Sequence, residues 1–376
     1  MTELVRPLRV ALNAVAARPG GGLSYLLNQI PHLDRSVELD VFVGPSLVGP
    51  LRTAFDGLRI RSLPSWAHSL PLRLFWEHVV FPRLARDADV LYSIGSFASL
   101  TRRKPQVVVV LIPYVFGPEG QSVIRTTKPP RSFRAKVAAQ RLLGRLTLRR
   151  ATVLIATSEF TASQIRASAS GDVDIRVVPI AGAEIPPNEH TSGPDRTFAR
   201  PFALSVGSDP PHKDQLGLIR AWPPDCPLDL VLAGNAEAVP SSQLDIAVGR
   251  RDDIHWIGPV QGYGSLFKIY REASLVVAHS LLEGFGMTPL EAMAQSTPVV
   301  ASDIPAHREV CGEAAVYYDP LDGASLATAI DRVLHEPGLA DSMVAAGKER
   351  LQLFSWTENG TAMCEILREV GHATPA

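Results

Sequence analysis

The chain has 376 residues, 46% hydrophobic and 20% charged, and its 37 Lys and Arg nearly balance 38 Asp and Glu. That length exceeds one ordinary core and fits two domains, the composition is that of a globular protein, and the balance excludes a partner chosen by net charge alone. Cys226, Cys311 and Cys364 are far apart, odd in number and in no metal-ligand spacing, so they read as reduced, mostly buried thiols of a cytoplasmic protein. Met1–Arg9 is polar with no signal-peptide pattern, and no apolar run reaches the length of a membrane span.

In chain order, the first half offers strands at Arg9–Ala14, Glu38–Val43, Asp89–Ile94, Gln106–Ile112, Thr152–Ala156 and Ile175–Pro179. The second offers Phe202–Val206, Leu228–Ala233, Ile254–Ile257, Leu275–Ala278, Pro298–Ala301 and Ala315–Tyr318. Most are continuous apolar runs, the pattern of parallel strands covered on both faces. Their alternation with helical patterns predicts right-handed βαβ units and doubly wound sheets. Between the sets, residues 183–200 are rich in Pro, Glu, Asn, Ser and Gly without periodicity and read as a linker. The expectation is an α/β protein of two Rossmann-like domains, 1–182 and 201–354, facing a cleft at the carboxyl ends of their strands.

Three stretches carry chemistry. Gly20, Gly21 and Gly22 follow the first strand and lead a helix, without the spacing of a dinucleotide fingerprint. Residues 121–150 hold nine Lys or Arg and no acid, interleaved with Phe133, Val137, Leu142, Leu143 and Leu146. Such a segment reads as a helix on an anionic membrane, as a packed helix with a solvated basic face, or as a lure for an anionic acceptor. No recognition module accompanies it, which argues against nucleic acid. The third stretch, Ser280–Ala294, follows a strand and opens a helix. Gly284 and Gly286 allow close backbone approach, and a helix start behind such a loop suits a diphosphate. Thr288, Pro289 and Glu291 read as N-cap, first and third helical residues of a capping box, so Glu291 is either a cap or a ligand contact. Glu283 has no evident structural duty. Lys213 falls in a polar loop, where loss of its side chain should cost little stability.

Glu283 and Glu291, separated by seven residues around Gly284-Phe285-Gly286, resemble the signature of family-four retaining glycosyltransferases. The resemblance continues through Ala294–Asp303, Arg308-Glu309-Val310, Ala314-Ala315, Phe202–Ser208 and His212-Lys213. It implies a GT-B fold, with a final helix in 355–376, opened by Phe354-Ser355-Trp356, crossing back to the N-terminal domain. It also implies a retaining hexosyltransferase using a nucleotide-diphosphate sugar of UDP or GDP type, without metal or other cofactor, on a glycan, lipid-linked or small-molecule acceptor. By the same resemblance Glu283 contacts the donor sugar and Lys213 neutralises the diphosphate. Gly207, Ser208 and the turn Gly284, Phe285, Gly286, Met287 and Thr288 hold sugar and phosphates, and Glu291 binds ribose. Gly20, Gly21, Gly22, Pro113 and Tyr114 line the acceptor side. Two departures stand out. Ser208-Asp209 occupy the place where relatives often carry an arginine, which leaves Arg308 as a substitute cation. Leu111–Tyr114 replaces a His-Asp pair. Alternatives are an epimerase-like sugar-nucleotide enzyme and an inactive sugar-nucleotide-binding partner subunit.

Overall fold

The computed structural model describes residues 6–67, 69–95, 97–100, 104–169, 171–184, 198–208, 210–235, 247–249 and 251–373. Most of the expected linker 183–200 and residue Asp209 lie outside the described residues. The chain divides into two compact units: Met1–Gly120, Pro130–Ile180 and Trp356–Ala376 form the first, Gln121–Pro129 and Ala181–Ser355 the second.

The first unit holds a seven-stranded parallel sheet. Its strands are β1 (Leu8–Ala14), β2 (Val37–Val43), β3 (Arg59–Ser62), β4 (Val90–Ile94), β5 (Gln106–Val110), β6 (Val153–Ala156) and β7 (Ile175–Val177), in the order β3-β2-β1-β4-β5-β6-β7. β4, β5 and β6 are buried along their whole length, as continuous apolar runs require. Phe42, Trp76 and Phe81 pack in one core cluster, and Val108, Phe116 and Ile165 in another.

β3 is absent from the strands read in the sequence. It is an edge strand with Arg59, Arg61 and Ser62 exposed. It carries no apolar signal because its order comes from backbone pairing with β2 and from Arg61 Nε on Asp40 at 3.0 Å.

The second unit holds β8 (Phe202–Val206), β9 (Asp229–Ala233), β10 (Ile254–Gly258), β11 (Leu275–Ala278), β12 (Val299–Ser302) and β13 (Ala315–Tyr318), all parallel, in the order β10-β9-β8-β11-β12-β13. Trp222, Leu230, Leu232, Val277, Val300 and Ile330 belong to its core. In both sheets the order reverses beside the first strand, between β1 and β4 and between β8 and β11. Loops leaving the carboxyl ends of two such strands diverge and open a crevice.

The helix Trp356–His372 belongs to the first unit. Trp356 is fully buried, edge-on to Tyr25 at 5.7 Å between ring centroids. Asn359 accepts from Gln29 Nε2 at 3.0 Å and donates to the Pro179 carbonyl at 2.8 Å. Gln29 and the hydroxyls of Tyr25 and Tyr92 complete this buried network. Glycine at 360 is obligatory, since a Cβ there would stand 2.3 Å from the His32 carbonyl oxygen.

Candidate functional site

The crevice of the second unit gathers Lys213 from the loop after β8 and Glu283 from the loop after β11. The Lys213 ammonium contacts the Glu283 carboxylate, which also accepts from Ser280 Oγ at 2.6 Å. The loops are tied by backbone bonds: the Leu281 amide donates to the His212 carbonyl at 2.7 Å. The Ser280 amide donates to Ser302 Oγ, at the end of β12, at 2.9 Å. Three strand ends therefore fix one carboxylate, and the side chains of Glu283 and Lys213 are only 8% and 21% exposed. Burial pushes the Glu283 carboxyl up, but Lys213 overrides that and holds it down at about 2. The expectation that Glu283 has no structural partner is thus corrected, and the same pairing argues that Lys213 contributes to stability. Each neutralises the other in a buried place.

Three histidines surround this pair. Burial lowers His212 to about 4, His279 to about 3 and His307 to about 4, with Lys213 acting in the same direction on all three, so the rings are neutral at pH 7. His307 Nδ1 lies 3.1 Å from the Ser302 carbonyl and must donate to it, which makes Nε2 the acceptor. The His279 ring stacks on Tyr318 and shares a 2.6 Å hydrogen bond with its hydroxyl. Reading the sequence for function picked out none of His279, His307 or Ser280 as site residues. Ser280, three residues before Glu283, is the one with a local signal; the two rings converge only through the sheet.

The turn that follows is built as a cradle. Phe285 is buried edge-on to Phe354 at 5.2 Å and anchors the loop. Gly286 has φ 108°, and a Cβ there would stand 3.1 Å from His307 Cδ2, so this position requires glycine. The helix is Met287–Ala294 with Gly286 as its N-cap and no side-chain cap. This overturns the capping box: Thr288 is the second helical residue, and Glu291, the fifth, lies two residues too deep to cap. Glu291 is buried, accepts from Tyr270 Oη at 2.8 Å and from the Ala183 amide, and burial raises its carboxyl. The Tyr270 hydroxyl is also approached by Thr288.

Gly207 packs beside Lys213, 3.6 Å separating a Cβ built on the glycine from Lys213 Cδ, and Ser208 follows it at the end of β8. Arg308 is not brought to Glu283. Its guanidinium is gripped by Asp303 through two 2.7 Å bonds and lies 3.8 Å from the Tyr317 ring centroid, with 54% of its side chain exposed. The acceptor-side candidates lie in the first unit. Gly20 is the N-cap of the helix Gly21–Gln29, which places Gly21 and Gly22 in its first turn. Pro113 and Tyr114 occupy a short 3-10 turn after β5, with Tyr114 edge-on to Phe133 at 6.1 Å. The basic segment 121–150 is divided between the helices Glu119–Thr127 and Arg131–Leu148. Arg141 donates to the Gly117 carbonyl, Val137 is buried, and Leu142 and Leu146 stand exposed. Among the described residues no His, Cys, Asp and Glu cluster fits a metal ion, and no helix is long and apolar enough to cross a membrane.

Two doubly wound parallel sheets, each with its strand order reversing beside its first strand, define an α/β protein of the GT-B class. Two family models match the chain, "Glycosyl transferases group 1" over residues 196–350 and "Glycosyl transferase 4-like domain" over residues 20–181. The chain belongs to the group 1 glycosyl transferases, and the family and fold expected from the signature hold. It is 32% identical over 139 residues to the O-antigen chain mannosyltransferase RfbU of Salmonella typhimurium, covering 36% of this chain and 39% of that one. It is 44% identical over 110 residues to the lipopolysaccharide core biosynthesis mannosyltransferase LpcC of Rhizobium leguminosarum bv. viciae, covering 28% and 29%. The chain thus spans under half the length of these relatives. Sucrose-phosphate synthase from Thermosynechococcus elongatus shares the fold with a TM-score of 0.72 and 18% identity, covering 98% of this chain and 100% of that one.

Proposed function

We propose that this protein is a retaining hexosyltransferase that moves mannose or glucose from a UDP or GDP sugar to a glycan or lipid-linked acceptor. The observation that carries this reading is the Lys213–Glu283–Ser280 cluster beside the helix start at Gly286. Departure of a nucleoside diphosphate builds negative charge. A lysine and the amides of Gly284 to Thr288, fixed in a dry crevice, stabilise that charge without needing to reorganise. Lys213 would exchange part of its contact with Glu283 for the diphosphate, freeing the carboxylate to accept from sugar hydroxyls. Glu291 would accept from ribose while Tyr270 holds it in place. Neutral His307, with Nε2 as acceptor next to Gly286, supplies a further hydrogen-bond acceptor without adding charge. No protein nucleophile is assigned, so retention follows a same-face displacement in which the leaving phosphate oxygen takes the acceptor's proton. Metal is not required in this scheme, because Lys213 and the amides carry the charge. The names of the matched mannosyltransferases support the hexose.

The basic segment fits peripheral contact with an anionic membrane from the cytoplasmic side. Leu142 and Leu146 stand exposed on the helix that also carries Arg145, and such a face combines apolar insertion with headgroup attraction.

The test is a thermal-shift screen of nucleotide sugars, followed by product analysis. A true donor at a hundred times its Kd should stabilise the fold by about 2.7 kcal/mol, and the product should keep the donor's anomeric configuration. A screen in which neither UDP nor GDP sugars shift the melt, or a product of inverted configuration, overturns the reading.

A further inference from the structure

The carboxyl edge of the second sheet holds a cavity that the donor chemistry does not use. It has a volume of about 320 Å³ and is walled by Leu281, Asp303, Asp319 and Leu321. Ser122 and Thr126, from the stretch Gln121–Pro129 that belongs to the same unit, complete the wall. Leu281, Asp303 and Asp319 follow the ends of β11, β12 and β13, three neighbouring strands, on the edge where α/β sheets take ligands. Backbone bonds fix these ends to one another. The Ser280 amide donates to Ser302 Oγ at 2.9 Å, which joins the residues just before Leu281 and Asp303. The Asp303 amide donates to the carbonyl of Tyr318, just before Asp319, at 2.8 Å. Ser280 also donates to Glu283, so the cavity starts one residue from the donor cluster.

The polar part of the wall is two carboxylates and two hydroxyls. Arg308 neutralises Asp303 through two 2.7 Å bonds. Asp319 accepts from the Leu321 amide at 2.8 Å and has no ion pair among the described residues. Ser122 and Thr126 are four residues apart on the helix Glu119–Thr127 and so share a face. One negative charge is therefore left on the wall. An ionised carboxylate only accepts hydrogen bonds, and it repels an incoming phosphate. A pyranose ring fits both conditions: its hydroxyls donate to Asp319, and its C–H faces lie against Leu281 and Leu321, the latter 64% exposed. The volume stands at the lower end of small-molecule sites, which suits one ring.

We propose that this cavity is a subsite for an uncharged hexopyranose, the end of a glycan acceptor, with Asp319 accepting from its hydroxyls. Calling the sugar an acceptor rests on the transferase reading; its binding does not. Ser122 and Thr126 add hydroxyl contacts from the opposite wall, and Asp303, tied to Arg308, keeps the floor in place.

The experiment is a methyl NMR titration of the full chain, read at Leu281 and Leu321. The probes are the methyl α-pyranosides of mannose, glucose and galactose, with mannose 6-phosphate and glucosamine as charged counterparts. At least one pyranoside should shift both leucines saturably. Asp319→Asn keeps an acceptor for the Leu321 amide and should weaken that pyranoside about fivefold, the difference between a charged and a neutral acceptor. The control Asp331→Asn removes the same charge from an exposed helix position and should leave the affinity unchanged. No saturable shift with any pyranoside, or equal affinity in Asp319→Asn and the wild type, overturns the subsite. Mannose 6-phosphate or glucosamine binding more tightly than all three pyranosides overturns the uncharged ring. Nucleotide-sugar melting shifts on the same proteins separate this idea from the transferase reading. Shifts retained in Asp319→Asn while the pyranoside weakens support both. Pyranoside binding without a nucleotide-sugar shift in any protein sinks the transferase alone.

Discussion

Glu283 is the more deeply buried partner of Lys213, and that asymmetry decides what each substitution does. Lys213→Met leaves a carboxylate sealed from water without its counter-charge, a change that typically costs about 3–5 kcal/mol. Glu283→Gln leaves an ammonium with more access to solvent and keeps the amide within reach of Ser280, so its cost should be smaller. Both variants should lose most turnover. Urea unfolding at pH 7 should rank Lys213→Met as the less stable, and the double variant should recover part of the loss. An equal midpoint for Lys213→Met and the wild type would sink the buried-pair account. Glu283 could be singled out in the sequence because it stands before Gly284 with no cap to make. Its partner could not be found by local rules, since Lys213 is 70 residues away.

At the scale of elements, the helix Trp356–His372 is held to the first unit by polar pins as well as by Trp356. Asn359 pairs with buried Gln29 and with the half-buried Pro179 carbonyl. Asn359→Leu removes one of the two bonds of the Gln29 amide nitrogen and the side-chain partner of that carbonyl, and should destabilise the protein by about 1–3 kcal/mol. Thr361→Ala, on the exposed side of the same helix, should stay within about 0.5 kcal/mol of wild type. Chemical denaturation of the two variants checks this, and an Asn359→Leu midpoint matching that of Thr361→Ala would reject it. The helix Met287–Ala294 teaches the opposite lesson about reading caps. Thr288-Pro289 followed by Glu291 satisfies the capping-box pattern, yet Gly286, with its positive φ, starts the helix two residues earlier. The buried Tyr270 hydroxyl then claims the carboxylate. A tertiary contact overrode local grammar.

For the whole molecule, the buried histidines set an acid limit. His212, His279 and His307 are depressed to about 4, 3 and 4 in the fold, against about 6.5 in the unfolded chain. Below that value the unfolded state binds protons that the native state refuses, so stability falls as pH drops from about 6.5 toward 4. Each ring contributes about 1.4 kcal/mol per pH unit in that window. Glu77, raised by burial to about 7, and Glu291, also raised, act in the opposite sense because they take up protons more readily when folded. His78, also lowered by burial, adds to the rings, and Asp214, also raised by burial, adds to the carboxyls; four histidines outweigh three carboxyls, and the Tm should decline between pH 6.5 and 5, before ordinary carboxylates titrate. His279→Phe should flatten that slope. A wild-type Tm that is flat over this range would exclude the assignment of three buried neutral rings.

The sequence by itself determined the architecture and pointed to the loop that holds the candidate site. Continuous apolar runs such as Val107–Val110 and Val299–Ala301 specify strands covered on both faces, and their spacing by helices specifies parallel doubly wound sheets. The turn from Gly284 to Gly286 is legible as the loop that opens a helix, because the positive φ at Gly286 needs glycine in any context. The polar edge strand Arg59–Ser62 left no apolar trace, since an edge needs a neighbour rather than a core. What only the tertiary structure decided is which polar groups meet. β8 and β11 are adjacent in the sheet though two strands intervene in the chain. Lys213, Ser280 and Glu283 therefore converge, with His212, His279 and His307 packed around them, while Arg308 turns away to Asp303 and Tyr317. Lys213 then holds the Glu283 carboxylate charged against its burial, while burial keeps the rings neutral, a division that follows from desolvation and neighbouring charge, and neither is written in local sequence.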